Sequence, residues 1–458
     1  MASEPRMPED RDEGNGQRNG FPMPRWARPP DDSEGRSRRR ANVRLKLLWT
    51  AAALLLLYAV WASYPFVPNP FVALFRQPSG QVSAVSAPGW WATHGGNPQG
   101  TNFLPDDASP EGVIDRIIEV GAGVRSAAAV ADGTVYIGGQ SRVVAFDAET
   151  GRQIWEEPVS GPAHGAPAVT ENAVYLGTLN KRVMALDRAS GRKLWVYEGD
   201  SPFPGSVTVQ DGIVYAGSRG GDVHALDAES GSRLWKVGLD SPVVAPVAVY
   251  DGKLLAASNA GVLFVRHSRT GDHRARIRTG AALVAPPVAA DGQVYLLSHG
   301  SLMAFDASAR ELPGRYAADL IWAQLWIWGF PLPPSPEYSA LRWRVAPSDD
   351  MGAFLHPLAV TREALYLGTD EGEVVALRPE DGSLLWRMPA GEPVATSPLV
   401  AGDMLFVSHE DGIIRAIDRI RQEEVWNVSL ESPPAAPLSY AEDRLYVHTQ
   451  DGRLYVIR

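Results

Sequence analysis

The segment Ala225–Trp235, with the sequence ALDAESGSRLW, decides the fold of this chain. Its first three residues suit the end of a β-strand, its Ser-Gly pair suits a tight turn that needs positive φ, and its tryptophan falls on the returning strand. A single hairpin of this size cannot bury an indole ring. Related segments are Ala145–Trp155, Ala185–Trp195, Ala376–Trp386, Ala416–Trp426 and the shorter Ala304–Ala309. We therefore expect neighbouring copies to bury one another's tryptophans.

The copies recur at a regular spacing, and Asp187 and Asp227, for example, are 40 positions apart. The same position of the repeat is occupied by Asp147, Asp187, Asp227, His267, Asp306, Arg378, Asp418 and Arg458. A period of about 40 residues with four short strands per copy is typical of propeller blades. A helical array of similar period is disfavoured, because the copies alternate apolar and polar residues with a period of two. The sequence predicts an all-β, eight-bladed β-propeller over residues 113–458.

The eighth copy stops at Arg458 after its third strand, which would leave an unpaired strand edge. The segment Val113–Val120 lies just before the first copy and has the pattern of a strand. Its Arg116 stands where the spacing places a tryptophan in the other copies. We predict that this N-terminal strand completes the last blade and closes the ring, with Ile114, Ile117 or Ile118 filling the space of the missing indole.

The repeat tryptophans are the predicted structural docking residues between blades. They are Trp155, Trp195, Trp235, Trp343, Trp386 and Trp426. The fourth copy has Ala275 at this position, so we expect its blade to pack less tightly.

The N-terminal region differs in composition from the repeats. Residues 1–46 are rich in proline, glycine, arginine and acidic residues, which predicts a disordered tail. Residues 47–64 form an uncharged apolar run, and a helix of that length would span roughly 27 Å, close to the thickness of a bilayer core. Arg and Lys precede the run, which favours a cytoplasmic N-terminus. A cleaved signal peptide is the alternative, although a leader of this length is long for one.

These features predict a cell-membrane protein with a single-pass transmembrane anchor. The domains expected are a disordered cytoplasmic tail (1–46), the anchor (47–64), an extended extracytoplasmic linker and pre-propeller segment (65–112) and the extracytoplasmic propeller (113–458).

The composition excludes several kinds of chemistry. The formal net charge of −10 makes the chain a poor nucleic-acid binder, because phosphate contacts need a basic face. The sequence has no cysteine, which excludes thiol nucleophiles, thiolate zinc sites, disulfides and lipid attachment through cysteine.

The hairpin pattern A-x-D-x-x-[ST]-G-x-x-x-W resembles the tryptophan-docking motif of the PQQ-type, or quinoprotein-like, β-propeller repeat family. The segment Trp90–Pro105 is similar to the one that precedes the ring in many members, so the resemblance covers residues 90–458. The family includes quinone-dependent dehydrogenases and non-catalytic scaffolds such as a barrel-assembly lipoprotein of the outer membrane. Because this fold hosts unrelated activities, the resemblance implies the fold more strongly than the function. The missing lipid-attachment cysteine departs from the scaffold lipoprotein.

In the dehydrogenase branch, the resemblance implies a quinone over the ring axis, an Asp base and a Ca²⁺ ion held by Glu and Asn. The residues expected to face the axis at the start of each innermost strand include no carboxylate. In ring order they are Arg125-Ser126, His164-Gly165, Pro204-Gly205, Val244-Ala245, Val284-Ala285, Leu355-His356, Ala395-Thr396 and Ala435-Ala436. Since Ca²⁺ needs oxygen ligands, the sequence predicts no catalytic residues, no cofactor and no metal site.

Two other groups of residues are weaker candidates. His164 and His356 could form a metal pair across the mouth, but lone histidines on separate blades are more often ordinary rim residues. The repeated aspartates resemble an acidic cluster, but identical positions on different blades are better explained as turn residues.

The fifth copy contains an insertion, residues 309–341, between its third and fourth strands. Residues 317–328 are compatible with a helix. The candidate partner-binding residues are Trp322, Trp326, Trp328 and Phe330. The alternative is that the insertion folds back over the side of blade 4 that lacks a tryptophan. The nearby Asp319 and the absence of lysine favour protein over lipid as the partner.

The function predicted from these observations is a membrane-anchored, extracytoplasmic propeller that acts as a non-catalytic protein-binding or assembly scaffold. Its partner would be an unknown extracytoplasmic or membrane protein. The alternative is a PQQ-dependent dehydrogenase with an unrecognised site.

Overall fold

The computed structural model describes residues 45–57, 70–84, 89–106, 108, 110–121, 126–239, 241–311, 321–322, 324–330, 340–348, 352–389 and 391–458. The chain divides into two compact units, Met1–Trp61 and Ala62–Arg458, and each is described by itself. In the first unit, residues 45–57 form helix α1. Most of the predicted tail and residues 58–64 of the predicted anchor lie outside the described residues. Within the described ranges, none of the helices has the length and apolar character needed to cross a membrane.

The second unit begins, in its described part, with the short helix α2 (Pro70–Phe75). Proline suits the first position of a helix, since its missing N–H would have no partner there. The prediction of an extended linker is therefore wrong for these residues. Downstream, β1 (Phe103–Leu104) and β2 (Ile114–Glu119) precede the first repeat.

Eight antiparallel sheets, or blades, follow, and each is written here from its innermost strand outwards. Blade 1 contains β3 (Ala129–Ala131), β4 (Thr134–Gly138), β5 (Arg142–Asp147) and β6 (Gln153–Pro158). Blade 2 contains β7 (Ala168–Val169), β8 (Ala173–Gly177), β9 (Arg182–Asp187) and β10 (Lys193–Glu198). Blade 3 contains β11 (Thr208–Gln210), β12 (Ile213–Gly217), β13 (Asp222–Asp227) and β14 (Arg233–Gly238). Blade 4 contains β15 (Ala248–Tyr250), β16 (Lys253–Ser258), β17 (Val262–His267) and β18 (His273–Arg278).

The second half of the ring repeats this plan. Blade 5 contains β19 (Val288–Ala290), β20 (Gln293–Ser298), β21 (Ser301–Asp306) and β22 (Leu341–Val345). Blade 6 contains β23 (Ala359–Val360), β24 (Leu365–Gly368), β25 (Glu373–Leu377) and β26 (Leu384–Pro389). Blade 7 contains β27 (Leu399–Ala401), β28 (Met404–Ser408), β29 (Ile413–Asp418) and β30 (Glu423–Ser429). Blade 8 contains β31 (Ser439–Ala441), β32 (Arg444–His448) and β33 (Arg453–Ile457). The prediction of an all-β, eight-bladed propeller is confirmed.

The second strand of each blade is apolar on both faces, because each blade is covered by a neighbour on either side. All five residues of β12, for instance, are buried. A one-residue irregularity between the third and fourth strands recurs, as at Ala225 and Leu226 in blade 3. This irregularity lies directly before the tryptophan and sets which face of the sheet the indole occupies.

The outermost strand of blade 8 comes from the N-terminal side of the chain, because β2 pairs antiparallel with β33. At this boundary Arg116 lies over Gly151, in the place that an indole occupies elsewhere. Ile118 is buried, whereas Ile114 and Ile117 are exposed. Of the three isoleucines considered, Ile118 therefore shares the space of the missing indole with the stem of Arg116, whereas Ile114 and Ile117 do not.

At five blade boundaries the tryptophan donates its indole N–H to a main-chain oxygen of the next blade. The pairs are Trp155 to Arg188 (2.9 Å), Trp195 to Ala228 (2.9 Å), Trp235 to Ser268 (3.1 Å), Trp343 to Pro379 (2.9 Å) and Trp426 to Pro110 (2.7 Å). Each ring also lies against a glycine with positive φ. A Cβ atom on Gly231, for example, would come within 2.6 Å of the Trp195 ring. A larger residue there would displace the indole.

Blade 4 compensates for its missing tryptophan. Ala275 is fully buried in one cluster with Met303 and Phe305 of blade 5. The start of the insertion then lies along β18, where the Glu311 amide donates to the Arg274 oxygen (3.0 Å) and His273 contacts Glu311 (3.1 Å). The described entry of the insertion therefore folds over the edge that lacks a tryptophan.

The docking role predicts a large loss of stability on removing one indole. We expect Trp235→Ala to lower the free energy of unfolding by about 3–5 kcal/mol, because Trp235 is 4% exposed and fills a close-packed boundary. Urea denaturation followed by circular dichroism would measure the loss. Ile154→Ala, on an outer strand at 49% exposure, is the control and should cost less than about 0.5 kcal/mol. Equal losses in the two variants would contradict the docking role.

Candidate functional site

Most of the described residues at the mouth of the ring, where the innermost strands start, are apolar. Val284 and Leu355 are 66% and 51% exposed there, and Pro204, Val244 and Ala395 are half-buried. Arg125, the cation expected at this mouth, lies outside the described residues. The described members of this ring include no carboxylate, so they offer no oxygen ligands of the kind that Ca²⁺ requires.

The other end of the innermost strands is occupied by the chain itself. Residues 91–102 follow the inner wall and bond to the main chain of successive innermost strands. The bonded pairs are Trp91 with Val130, Ala92 with Val169, Pro98 with Val249, Gln99 with Ala289, Thr101 with Val360 and Asn102 with Val400. Ala84 bonds to Val209 of blade 3, and β1 adds to blade 7 in parallel with β27. We call residues 91–104 the axial segment.

Local chemistry explains how the axial segment fits. Asn102 takes a positive φ of 50° and donates its side-chain amide to the Leu358 oxygen (3.0 Å). Trp91 is 1% exposed and pairs its backbone with Val130 in both directions. Burial lowers the pKa of His94 to about 4, so this imidazole is neutral near pH 7. Polar side chains of the segment, such as that of Asn102, thus satisfy buried main-chain oxygens of the ring.

The structure does not add further metal ligands to the pair His164 and His356, among the residues that it describes. His164 is half-buried, and burial lowers the pKa of His356. In the part of the chain that the structure describes, no three His, Cys, Asp or Glu side chains come together in a way that could hold a metal ion.

The repeated aspartates are turn caps, as their alternative interpretation predicted. Asp147 accepts from the amide and hydroxyl of Thr150 at 2.6 and 2.7 Å, and Asp187 accepts from those of Ser190 at 2.9 and 2.5 Å. These side-chain hydrogen bonds hold the pKa of both aspartates below the usual value. Each carboxylate therefore serves its own hairpin.

The insertion presents apolar side chains to solvent. Residues 321–322 and 324–327 are helical, and the amides of Trp328 and Phe330 extend this turn by bonding to Gln324 and Leu325. Trp326, Trp328 and Phe330 are 63%, 67% and 53% exposed, whereas Trp322 is half-buried. We call the three exposed aromatic residues the insertion surface. Most of residues 312–339 lie outside the described ranges, and β22 begins at Leu341, so this residue belongs to the blade.

Blades joined by repeat tryptophans, with the preceding chain lining the axis, define a propeller of the PQQ-like repeat class. The sequence matches the family described as "Outer membrane protein assembly factor BamB" over residues 78–227, 202–273, 219–326 and 335–458. The chain therefore belongs to this family.

Two curated relatives carry the same description. The one from Shewanella oneidensis is 27% identical over 105 residues, which cover 22% of this chain and 27% of the relative. The one from Vibrio cholerae is 29% identical over 127 residues, covering 25% of this chain and 32% of the relative. The matched stretches thus span about a quarter to a third of these relatives.

Solved structures share the fold at low sequence identity. BamB from Moraxella catarrhalis has a TM-score of 0.60 at 17% identity, covering 76% of this chain and 99% of that one. Quinohemoprotein alcohol dehydrogenase from Comamonas testosteroni has a TM-score of 0.62 at 14% identity, covering 86% and 83%. Because an assembly factor and a dehydrogenase both match, these similarities establish the propeller fold but do not distinguish between the two functions.

The sequence showed that the axial segment precedes the ring, but it did not indicate that this segment bonds to the innermost strands. Its only signal was a run of Gly, Asn, Pro and Thr between two apolar ends, at Trp91 and Leu104. Such residues indicate turns but do not tell where the turns dock.

The axial segment should protect the innermost strands from solvent exchange. We expect Asn102→Ala to speed amide hydrogen exchange at Val360 and Val400, because the substitution removes the bond to Leu358 and strains a positive-φ position. Hydrogen exchange read by mass spectrometry would measure the change. Asn427→Ala, at an outer strand, is the control. Unchanged protection at both valines would mean that Asn102 does not hold the segment in place.

Proposed function

We propose that this protein is a membrane-anchored, extracytoplasmic scaffold that binds another protein without catalysing a reaction. The observation that carries the proposal is the insertion surface, where Trp326, Trp328 and Phe330 are each more than half exposed on one short stretch. Exposed aromatic residues close together are typical of protein interfaces. Family membership supports an assembly role, since the family is described as an assembly factor.

The proposed topology follows from the sequence. Residues 47–64 would anchor the chain in the cell membrane, residues 1–46 would form the cytoplasmic tail, and the propeller of residues 113–458 would lie outside the cytoplasm. Helical residues 45–57 are compatible with the anchor. We further infer that the pairing of β2 with β33 closes the ring, which would give partners a rigid surface.

The absence of catalysis is supported by the chemistry of the axis. Bound PQQ would supply a redox-active quinone, which needs a Ca²⁺ ion and a base beside it. The described residues that begin the innermost strands include no carboxylate, and no cluster of metal ligands occurs among the described residues. The residues present therefore do not fit this cofactor.

Removing the insertion surface should remove a partner while leaving the fold intact. We expect the Trp326→Ser/Trp328→Ser variant to lose at least one protein that crosslinks to the wild type in membranes, because aromatic side chains dominate binding energy at interfaces. Crosslinked purification with partner identification would show the loss, and circular dichroism would check folding. The control is Ile420→Ser, which changes a residue exposed at 60% on blade 7. A partner retained by the folded double variant would contradict this site.

A titration separates the scaffold from the dehydrogenase alternative, because only the dehydrogenase would bind PQQ and turn over a substrate. We expect no saturable change in the PQQ absorbance spectrum, and no dye reduction with alcohols or sugars, when the full-length protein is titrated with PQQ and Ca²⁺. A known quinoprotein dehydrogenase would serve as the positive control. Saturable binding with turnover would replace the scaffold by the enzyme.

A further inference from the structure

The short helix α2 lies against the outermost strand of blade 3. The guanidinium group of Arg76, the residue after the helix, donates to the Leu234 oxygen (3.0 Å), and Val72 packs against the apolar cluster that contains Leu234. Leu234 is 5% exposed. The residues at this repeat position in four other blades are 40% to 55% exposed, and they are Ile154, Leu194, Leu385 and Val425. The contacts of α2 account for this difference, so the helix covers part of the outer strand.

The chain that follows α2 is fixed as well. Ser79 donates its amide and hydroxyl to Asp227 at 2.5 and 2.8 Å, and the Gly212 amide donates to the Val82 oxygen (2.8 Å). Residues 78–83 thus cover the turns of blade 3. Because these bonds hold the chain after the helix, α2 has a defined place on the outer rim of the propeller.

The side of α2 that faces away from the blade is apolar. Leu74 and Phe75 are 70% and 72% exposed. Leu74 follows Val72 by two residues, which places it roughly 200° around the helix from the side that contacts blade 3. Moving large apolar side chains out of water is favourable. This side of α2 is therefore suited to a surface that removes it from water.

The length of the preceding chain indicates which surface that is. Five residues separate Pro70 from Tyr64, the last residue of the proposed anchor. A chain of this length reaches at most about 22 Å when it is fully extended. If residues 47–64 anchor the protein as proposed, α2 begins within that distance of the point where the chain leaves the hydrocarbon core. The exposed side chains of α2 would thus be close to the membrane interface.

The neighbouring blade 4 has a concentration of positive charge. Its outer hairpin, residues 262–279, contains five arginines and one aspartate, although the whole chain has a formal net charge of −10. The arginines are Arg266, Arg269, Arg274, Arg276 and Arg278. The equivalent hairpin of blade 3, residues 222–239, contains two cations and three carboxylates. The excess of arginine is therefore a property of blade 4 and is not common to the repeats.

The carboxylates near this hairpin do not cancel its positive charge. Burial, and then the positive charge of Arg310, lowers the pKa of Arg274, and the negative charge of Asp272 opposes this shift only in part. Glu311, a second carboxylate beside the hairpin, contacts His273 (3.1 Å). The hairpin thus presents a positive electrostatic field.

The arginines of blade 4 and helix α2 contact one apolar cluster. The guanidinium carbons of Arg276 and Arg266 lie 5.2 and 6.0 Å from the centre of the Phe264 ring. Phe264 belongs to the cluster against which Val72 packs. Apolar and cationic side chains are therefore present together on the outer rim of two neighbouring blades.

We propose that the outer rim of blades 3 and 4 docks on the surface of a bilayer that contains anionic phospholipids. Leu74 and Phe75 enter the interface, and the arginines of blade 4 lie against lipid phosphate groups, which guanidinium groups bind through paired N–H donors. This inference rests on the proposed function for the anchor but not for the protein partner. Docking at this rim would fix the orientation of the propeller on the membrane.

The test measures whether α2 enters the membrane. The chain has no cysteine, so a single introduced cysteine can be labelled specifically. Full-length Leu74→Cys, labelled with bimane, is reconstituted into phosphatidylcholine vesicles with and without phosphatidylglycerol, and spin-labelled lipids serve as quenchers. We expect the label at position 74 to lose most of its emission, and to lose more when phosphatidylglycerol is present. A label in Ile420→Cys, at an exposed position of blade 7, is the control and should keep its emission.

A charge variant tests the role of the arginines. Arg269→Gln/Arg278→Gln, which changes two exposed residues, should abolish the extra quenching caused by phosphatidylglycerol, and raised salt should have the same effect. Arg152→Gln/Arg421→Gln, which removes two exposed arginines from blades 1 and 7, is the matched control and should leave the extra quenching unchanged. If the label at position 74 is not quenched, or if the two double variants behave alike, the proposal is overturned.

Carbonate extraction separates this proposal from the proposed anchor. If carbonate does not release the protein and the label at position 74 is not quenched, the anchor stands and this proposal is overturned. If carbonate releases the protein but the label is quenched in vesicles with phosphatidylglycerol, the anchor fails and the docking rim stands. If the label is not quenched and Arg269→Gln/Arg278→Gln loses a protein that crosslinks to the wild type, the arginines bind a protein and the proposal is overturned.

Discussion

Five of the blade boundaries depend on one interaction, in which an indole N–H donates to a main-chain oxygen of the next blade. Hydrogen bonds within a blade hold its own strands and do nothing to join it to its neighbour. The indole supplies both apolar area and one directed bond, as Trp235 does toward Ser268. A buried N–H without an acceptor would cost about 1–3 kcal/mol, so the bond fixes where the neighbouring turn must lie. The glycine beneath each ring follows from the same contact, as at Gly231.

Two of the boundaries that depart from this rule follow its logic. Blade 8 meets blade 1 through Arg116, whose stem lies over Gly151 as a ring would. Blade 4 has Ala275 and so needs no receiving glycine in blade 5, where Arg310 stands at the glycine position. The turn of blade 5 is thereby released from holding an indole, and the insertion begins at this point. The missing tryptophan and the insertion are two aspects of one change in packing.

The sequence predicted the blade number and strand order because they depend on a period that any pair of copies reveals. It also predicted the buried columns and the role of the repeated aspartates, such as Asp147, which are local properties of one hairpin. It did not predict the axial segment, because the bonds of Trp91 and Asn102 to the ring are made largely by main-chain groups that every residue carries. For the same reason it could not show that residues 78–83 cover blade 3. The helix Pro70–Phe75 is too short to give a periodic signal.

A propeller whose blades were all alike would present the same turns eight times and have no reason to bind a partner at one of them. In the part of the chain that the structure describes, residues 91–104 bond to the innermost strands at one end of the axis, and most side chains at the other end are apolar. Selectivity must then come from the places where the copies differ. Two differences meet at blade 5: the neighbour without a tryptophan, and the insertion that carries Trp326, Trp328 and Phe330. Because aromatic side chains dominate binding energy at interfaces, the partner of the proposed scaffold would bind at blade 5 rather than at a blade without an insertion.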